Sequence, residues 1–350
     1  MSDKRYRVAQ WGTGHSGMAA LRALIDHPRF DLVGVYVYSD EKAGRDAGEL
    51  CGKESTGVAA TRNIEDILAT RPDCVVYMPS TYDLDDLCRL LESGANISTL
   101  LEHFHEPESL DPDVRQRIED ACRRGGTSLC SAGTSPGFIT EALPVALTSL
   151  QRRLSCLTIH EYADISERNS PEMLAMLFGG DPAAAQLAGV AQSTQQHYGA
   201  SLRRLAKALS MPLDDITATA QVAAAKTAVK TAAGTFDAGT VAAWRIEVQG
   251  IRAGEPVLKM IPTWYIGTDL DPAWEFPFPG QGWRVMVDGD VPLDVAIRFT
   301  FPSEEARSLV GYGNGNRPVN AVPYVCASPP GIVSTLDLPQ IIANLEGTTR

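Results

Sequence analysis

No stretch of this 350-residue sequence comes near the roughly 20 consecutive apolar residues that a membrane span requires, so no membrane partner is expected. Basic residues are also in short supply: 31 Lys and Arg stand against 43 Asp and Glu, for a formal net charge of −12. Binding a phosphate backbone draws on the opposite surplus, which argues against a nucleic-acid partner but leaves small anionic ligands open to a local positive site. The seven cysteines (Cys51, Cys74, Cys88, Cys122, Cys130, Cys156 and Cys326) are odd in number, scattered and without a CxxC pair. That pattern speaks against a disulfide framework and predicts reduced thiols and a cytoplasmic location. No HExxH supports a metal site. The opening residues are polar and lead straight into a strand pattern, so no secretory signal peptide is expected. Internal repeats and low-complexity tracts are absent as well.

What is present is typical of a globular protein. With 44% hydrophobic and 21% charged residues, a chain of this length can bury a core without staples, and it predicts two domains. Over the first 150 residues short apolar runs alternate with helical patterns. Strands are predicted at 6–11, 31–38, 74–78, 96–101 and 128–130, and helices at 18–26, 64–70, 84–93, 114–124 and 139–150. This alternation implies βαβ units and a parallel sheet covered on both faces. After about residue 152 the pattern changes. Strands are predicted at 154–162, 216–225, 240–248, 257–266, 283–287 and 293–301, with helices at 172–178 and 191–209 and a Pro/Gly-rich loop at 271–282. A last apolar segment, 318–345, reads as helix-like and is expected to pack back on the first domain. The expected fold class is α/β: a Rossmann doubly wound parallel sheet over residues 1–150, completed by 315–350. A second, α+β domain at 151–314 is built on a mostly antiparallel sheet.

The sharpest local signal is Gly12-Thr13-Gly14-His15-Ser16-Gly17, directly after a strand and opening a helix. Gly12 allows the tight turn, Gly14 lets the backbone approach a diphosphate, and Gly17 lets helix and strand pack closely. The helix N-terminus adds free N–H groups and a positive dipole end. A glycine turn needed only for packing is the blander alternative. The ribose end of a dinucleotide is read where the second strand stops, here Tyr38-Ser39-Asp40-Glu41-Lys42 with Arg45 beyond. Ser39 supplies a hydroxyl, and Lys42 and Arg45 supply charge for a 2′-phosphate, which favours NADP(H). Asp40 or Glu41 turned inward would favour NAD(H).

Ligands of open α/β sheets bind beyond the carboxyl ends of strands. Three segments qualify: Met78-Pro79-Ser80-Thr81, Leu101-Glu102-His103-Phe104-His105, and Ser131 to Phe138, in which Gly133 and Pro136 suit close approach to a nicotinamide ring. Glu102, His103 and His105 form the only concentration of titratable groups at a strand end. One of them can supply the proton partner that hydride transfer to C=N or C=O needs. Polar loop filler is the main alternative; a metal site at the compact His103, His105 and Glu106 is a third, with His at i and i+2 a poor metal signature. Phe138, Tyr162, Met173, Met176 and Trp264 are candidates for an apolar substrate pocket, although such residues also serve as core. With Arg168 as the one basic residue between Glu161 and Met176, a small and mainly apolar substrate fits better than a dicarboxylate.

Four segments together carry a family resemblance: RVAQWGTGHSG, VYVYSDEKAGRDAGEL, GGTSLCSAGTSPGFITEALP and NAVPYVCASPPGI. In this order they resemble the dihydrodipicolinate-reductase-like oxidoreductases. They are more narrowly similar to the actinobacterial branch grouped with 2,4-diaminopentanoate dehydrogenases and native amine dehydrogenases. The resemblance implies NAD(P)H-dependent reduction of an imine formed from a small ketone or aldehyde and ammonia, or the reverse amine oxidation. It also implies a second domain that forms a homodimer. The segment IHEYADISERNSPEML lacks the lysine and PSGT-like loop of true dihydrodipicolinate reductases, so lysine biosynthesis is not expected. The branch places a glutamate just beyond the fifth strand in a Gly-Glu-Phe pattern. In ungapped register Phe104 meets the phenylalanine, His103 the glutamate and Glu102 the glycine. Either Glu102 serves with a one-residue shift or His103 replaces the carboxylate. A reductase that uses no ammonia and a non-catalytic NADP(H)-binding subunit remain the alternatives.

Overall fold

The structure, a computed structural model, describes residues 4–168, 170–300 and 306–343, with only the backbone for 306–312. The chain packs as two units, one formed by residues up to Phe138 and from Ser308 on, the other by Ile139–Arg307.

The first unit is built on the parallel strands β1 (Tyr6–Trp11), β2 (Phe30–Tyr36), β3 (Ala60–Thr61), β4 (Cys74–Tyr77), β5 (Asn96–Thr99) and β6 (Ser128–Ser131). A C-terminal strand, Gly331–Val333, adds to β6, and the sheet order is Gly331–Val333, β6, β5, β4, β1, β2, β3. The order reverses between β1 and β4, the position where sheets of this type open a crevice. Every residue of β4 and of β6 is buried, as expected for strands covered on both faces. The helices are α1 (His15–Asp26), α2 (Ala47–Cys51), α3 (Ile64–Ala69), α4 (Leu84–Glu92) and α5 (Pro112–Gly125). Each of α2 to α5 starts at an Asp or Asn whose side chain accepts from the helix's first N–H groups: Asp46, Asn63, Asp83 and Asp111. Asp46 also accepts from the N–H groups of Thr56 and Gly57, which holds its carboxyl down at about 2.

The second unit contains α6 (Leu143–Thr148), β7 (Leu154–Asp164), α7 (Pro171–Leu177), α8 (Leu187–Ala208), β8 (Asp215–Ala225), the hairpin β9 (Val229–Thr231) and β10 (Gly234–Phe236), β11 (Val241–Arg252), β12 (Glu255–Tyr265), β13 (Leu270–Asp271), β14 (Gly282–Gly289) and β15 (Leu293–Arg298). Seven strands form one sheet in the order β13-β8-β11-β12-β7-β14-β15. All neighbours are antiparallel except β12 and β7. Helix α8 packs on β8, β11 and β12, and Leu202, Leu205, Ile246, Val248, Leu258 and Met260 are fully buried in the same core.

The predicted fold class is therefore the observed one, with local corrections. The helix predicted at 139–150 is present, entering through a widened helical turn that ends at Ala142 and closing as α6 at Thr148; Ser135, Pro136 and Gly137 (φ +126°), with non-helical backbone angles, precede it. The helix expected to open at Pro318 begins at Ala306 and contains both Pro318 and Pro323. Beyond it the chain returns to a strand, so the reading of 318–345 as one helical segment was wrong. Apolar Val319, Val322 and Val325 mark only the helix's buried side. Residues 344 and 345, and the predicted end of the 293–301 strand at Phe301, lie outside the described residues.

Candidate functional site

The sequence-predicted cofactor and catalytic residues lie at loops that leave the C-terminal edge of the first unit's sheet. After β1, Gly12 turns with φ +85°, and a Cβ there would lie 2.8 Å from the Met78 carbonyl oxygen. A Cβ on Gly17 would lie 2.3 Å from the Gly12 carbonyl oxygen, whereas one on Gly14 would meet nothing within 4 Å. Two glycines are thus demanded by packing, and the third keeps an open cradle. Gly14 is the N-cap of α1; no side chain caps that terminus and its first turn carries no acid. Amides bonded to side chains in α2 to α5 are left available to an anion here, and these residues fit a dinucleotide's diphosphate. Thr13 is buried, His15 is exposed and Ser16 lies between. Below the turn, Gln10 is fully buried and its Nε2 donates to the Gly12 carbonyl at 2.8 Å.

The segment after β2 departs from its sequence reading in detail. Lys42 Nζ donates to the carbonyl and hydroxyl oxygens of Thr13 at 2.9 and 3.2 Å, which ties it to the glycine loop. Asp40 is ion-paired with Arg62, a residue that sequence reasoning missed because the two-residue β3 leading to it is too short to read. Ser39 is half-buried. Tyr38 is exposed, and its hydroxyl accepts the Trp11 indole N–H at 2.9 Å.

Pro79, Ser80 and Thr81 follow β4 and grade from half-buried to exposed. After β5, Thr99 accepts the Leu101 N–H at 3.1 Å and starts a single helical turn, Glu102–Phe104. Phe104 is fully buried and anchors the turn, which leaves Glu102 and His103 exposed; the His103 ring meets Tyr82 edge-on at 5.4 Å. His105 and Glu106 are buried. The sequence cluster is thus split, with Glu102 and His103 outward and His105 inward beside Glu106. Among the described residues no three or more His, Cys, Asp or Glu could hold a metal ion together. After β6, a Cβ on Gly133 would lie 2.5 Å from the Pro136 carbonyl oxygen. Gly133 to Gly137 also has GxSxG spacing, but Ser135 is extended (φ −148°, ψ 107°) and not in the strained turn of a nucleophile elbow. Phe138 is exposed, with the Arg317 guanidinium 5.1 Å from its ring centroid.

The remaining pocket candidates belong to the second unit, which has a cavity of about 760 Å³ lined by Met176, Phe178, Val190, Thr194, Trp244 and Trp264 among others. Met176 and Trp264 are brought together there, while Tyr162 is buried in the core against Phe276 and Phe278, and Met173 packs on that core. The indole rings are fixed from behind. Trp244 Nε1 donates to the Leu177 carbonyl at 2.6 Å, and Trp264 Nε1 donates to Glu161 at 3.2 Å. Glu161 also accepts from Trp283 and Tyr198.

Residues 138–350, more than half of the chain, match the 2,4-diaminopentanoate dehydrogenase C-terminal domain family. An amine dehydrogenase of Streptomyces virginiae is 34% identical over 342 residues, which cover 94% of this chain and 95% of that protein. The chain belongs to the amine dehydrogenase family. This is the branch that the four sequence segments resemble. The solved amine dehydrogenase of Mycobacterium smegmatis matches with a TM-score of 0.73 at 20% identity, covering 97% of both chains. The myo-inositol 2-dehydrogenase of Lactobacillus plantarum matches at 0.54 and 12%, covering 95% of this chain and 93% of that one. At such identities the two likenesses establish the fold.

Proposed function

We propose that this member of the family is an NAD(P)-dependent oxidoreductase acting on CH–NH2 and C=N groups, with reductive amination of a small, mainly apolar ketone or aldehyde and amine oxidation as its two directions. The observation that carries the reading is the pairing, on one edge of one sheet, of an uncapped glycine turn with an exposed carboxylate and imidazole. Gly12 to Gly17 hold the diphosphate through backbone N–H groups, Pro79 to Thr81 flank the dinucleotide, and Gly133 and Pro136 approach the nicotinamide. NADP(H) is the favoured cofactor, and when bound it supplies a hydride from nicotinamide C4.

Glu102 carries a negative charge that holds ammonium or the cationic iminium carbon–nitrogen group beside the turn, and it exchanges the proton that amine formation requires. His103, one residue on and also exposed, is the second candidate for the proton exchange, although an imidazole lacks the negative charge that holds a cation. The second unit's cavity is the candidate apolar pocket, since its indole and methionine walls suit a hydrocarbon group better than a second charge. A homodimer through the second unit and a cytoplasmic location complete the proposal, supported by the family resemblance and by seven free cysteines.

The test is a screen of small ketones and aldehydes with ammonia and NADPH, repeated with Glu102→Gln and His103→Asn. Loss of about 100-fold or more in kcat in one variant, with cofactor affinity kept, identifies the residue that handles the proton. Turnover unchanged in both removes the pair from the chemistry. Thermal stabilisation by NADPH without turnover on any substrate would favour a binding subunit.

A further inference from the structure

We propose that Arg62 reads the adenosine 2′-phosphate, in competition with Asp40, and that Tyr38 is the platform for the adenine ring. This rests on the dinucleotide-binding reading above and deepens it.

The register places these residues together. Strand β3 pairs with β2 at Val35–Ala60 and Tyr36–Thr61, and the Val37 N–H continues the ladder to the Thr61 carbonyl at 2.8 Å. Arg62 therefore emerges beside the segment Tyr38–Asp40, where the second strand of such a sheet meets the ribose. Its guanidinium is ion-paired with Asp40, whose side chain is 89% exposed, so the pair is open to exchange. Lys42, the basic residue nearer in sequence, is differently placed: two of its three donor directions go to Thr13 oxygens, and it braces the diphosphate turn. A guanidinium fork also matches a phosphate bidentately, which an ammonium cannot do.

Tyr38 is the second observation. An exposed aromatic ring at a strand end is ordinarily mobile, but here the hydroxyl is held by the Trp11 indole N–H. The Tyr36 ring meets it edge-on at 5.3 Å, while Tyr36 itself stacks on Trp11 at 3.7 Å. A ring fixed by its far end and 55% exposed presents a face to a flat heterocycle.

The competition sets cofactor choice. A 2′-phosphate displaces the Asp40 carboxylate from Arg62 and gains its charge. A free 2′-hydroxyl instead donates to Asp40 and leaves the ion pair intact. Arg62 thus favours NADP(H) and Asp40 favours NAD(H).

Calorimetric titration with NADPH, NADH and adenosine 2′,5′-bisphosphate tests this without turnover. Arg62→Gln should weaken NADPH and the bisphosphate by about tenfold or more, the scale of a charged hydrogen bond, and change NADH by less than about twofold. Asp40→Asn should tighten NADPH and weaken NADH. Lys42→Gln should weaken both dinucleotides alike, and Tyr38→Ala should weaken all three ligands. Because exposed ion pairs add little stability, Arg62→Gln and Asp40→Asn should fold normally, and melting temperatures check all four variants. Equal effects of Arg62→Gln on NADPH and NADH, or discrimination lost only in Lys42→Gln, overturn the inference. Wild-type protein that binds neither dinucleotide overturns the cofactor reading on which it stands.

Discussion

The two units carry their candidate chemistry in different ways. In the first, the decisive groups are backbone atoms at strand ends: the N–H groups behind Gly14, the tight approach of Gly17 to Gly12, and the short turn that lifts Glu102 and His103. In the second, they are side-chain faces in the wall of a cavity, Trp244, Trp264, Phe178 and Met176, on strands and a helix that also build the core. Backbone sites demand particular residues at fixed spacing, because a Cβ in the wrong place collides. Side-chain sites demand only apolar surface, which a core needs as well.

The largest expected effect separates two glycines of the same turn, one whose Cβ would collide with the protein and one whose Cβ would not. Gly17→Ala drives a Cβ into the Gly12 carbonyl and should cost several kcal/mol of stability together with cofactor binding, about 3 kcal/mol or more by the scale of overpacking. Gly14→Ala meets no atom of the protein, so the melting temperature of the free protein should hold while NADPH affinity falls about tenfold or more. Calorimetry and fluorescence titration on both variants check this. If Gly14→Ala leaves affinity untouched, the turn is a packing device and the contrast between the units disappears.

That contrast also explains what could be read from the sequence. The Rossmann strands were legible because buried parallel strands are nearly continuous apolar runs, as in Cys74–Tyr77, and the glycine turn was legible because of its spacing. Strand β3 and helix α2 were not: two and five residues are too short to show a period, and α2 is capped by the Asp46 carboxylate, which accepts from the N–H groups of Gly48, Thr56 and Gly57. Arg62 stayed hidden for the same reason, since its position depends on β3. The C-terminal helix was misread because Pro318 signals a start, while in the fold it lies inside a helix running from Ala306. In the second unit Tyr162 and Trp264 look alike in sequence, yet one is core and the other lines the cavity.

A smaller effect should mirror the first. Trp264→Phe keeps an aromatic wall but removes the indole N–H that Glu161 accepts at 3.2 Å. A hydrogen bond to a half-buried carboxylate is worth about 1–2 kcal/mol, so the melting temperature should fall by a few degrees. KM should change for bulky amines and stay level for the smallest, with NADPH affinity unaffected. Steady-state kinetics over a series of chain lengths measures it. A variant that weakens NADPH instead would show that the cavity does not serve the substrate.

The smallest effect concerns pH and gives each unit its own marker. His27 in the first unit and His160 in the second are both pushed down to about 4, mainly by burial, with Arg29 adding to the shift at His27 and Arg284 and Arg245 at His160. The neutral His27 ring stacks on Phe30 at 3.7 Å, and its Nδ1 accepts the Arg29 N–H, which protonation would break. Unfolded, each histidine takes a proton near pH 6.5; folded, it resists until about 4. The unfolded chain therefore binds more protons across that window, and stability should be level above pH 7 and decline as pH falls from about 6.5 to 4. Each group contributes at most about 3 kcal/mol, and less because solvent reaches part of each ring. Calorimetry from pH 7 to pH 4.5 should show the decline, with His160→Gln flattening it for the second unit and His27→Gln for the first. If saturating NADPH raises only the transition that His27→Gln alters, the cofactor and the substrate cavity are held by separately melting parts. A single transition that both substitutions flatten equally would mean that the two units melt as one.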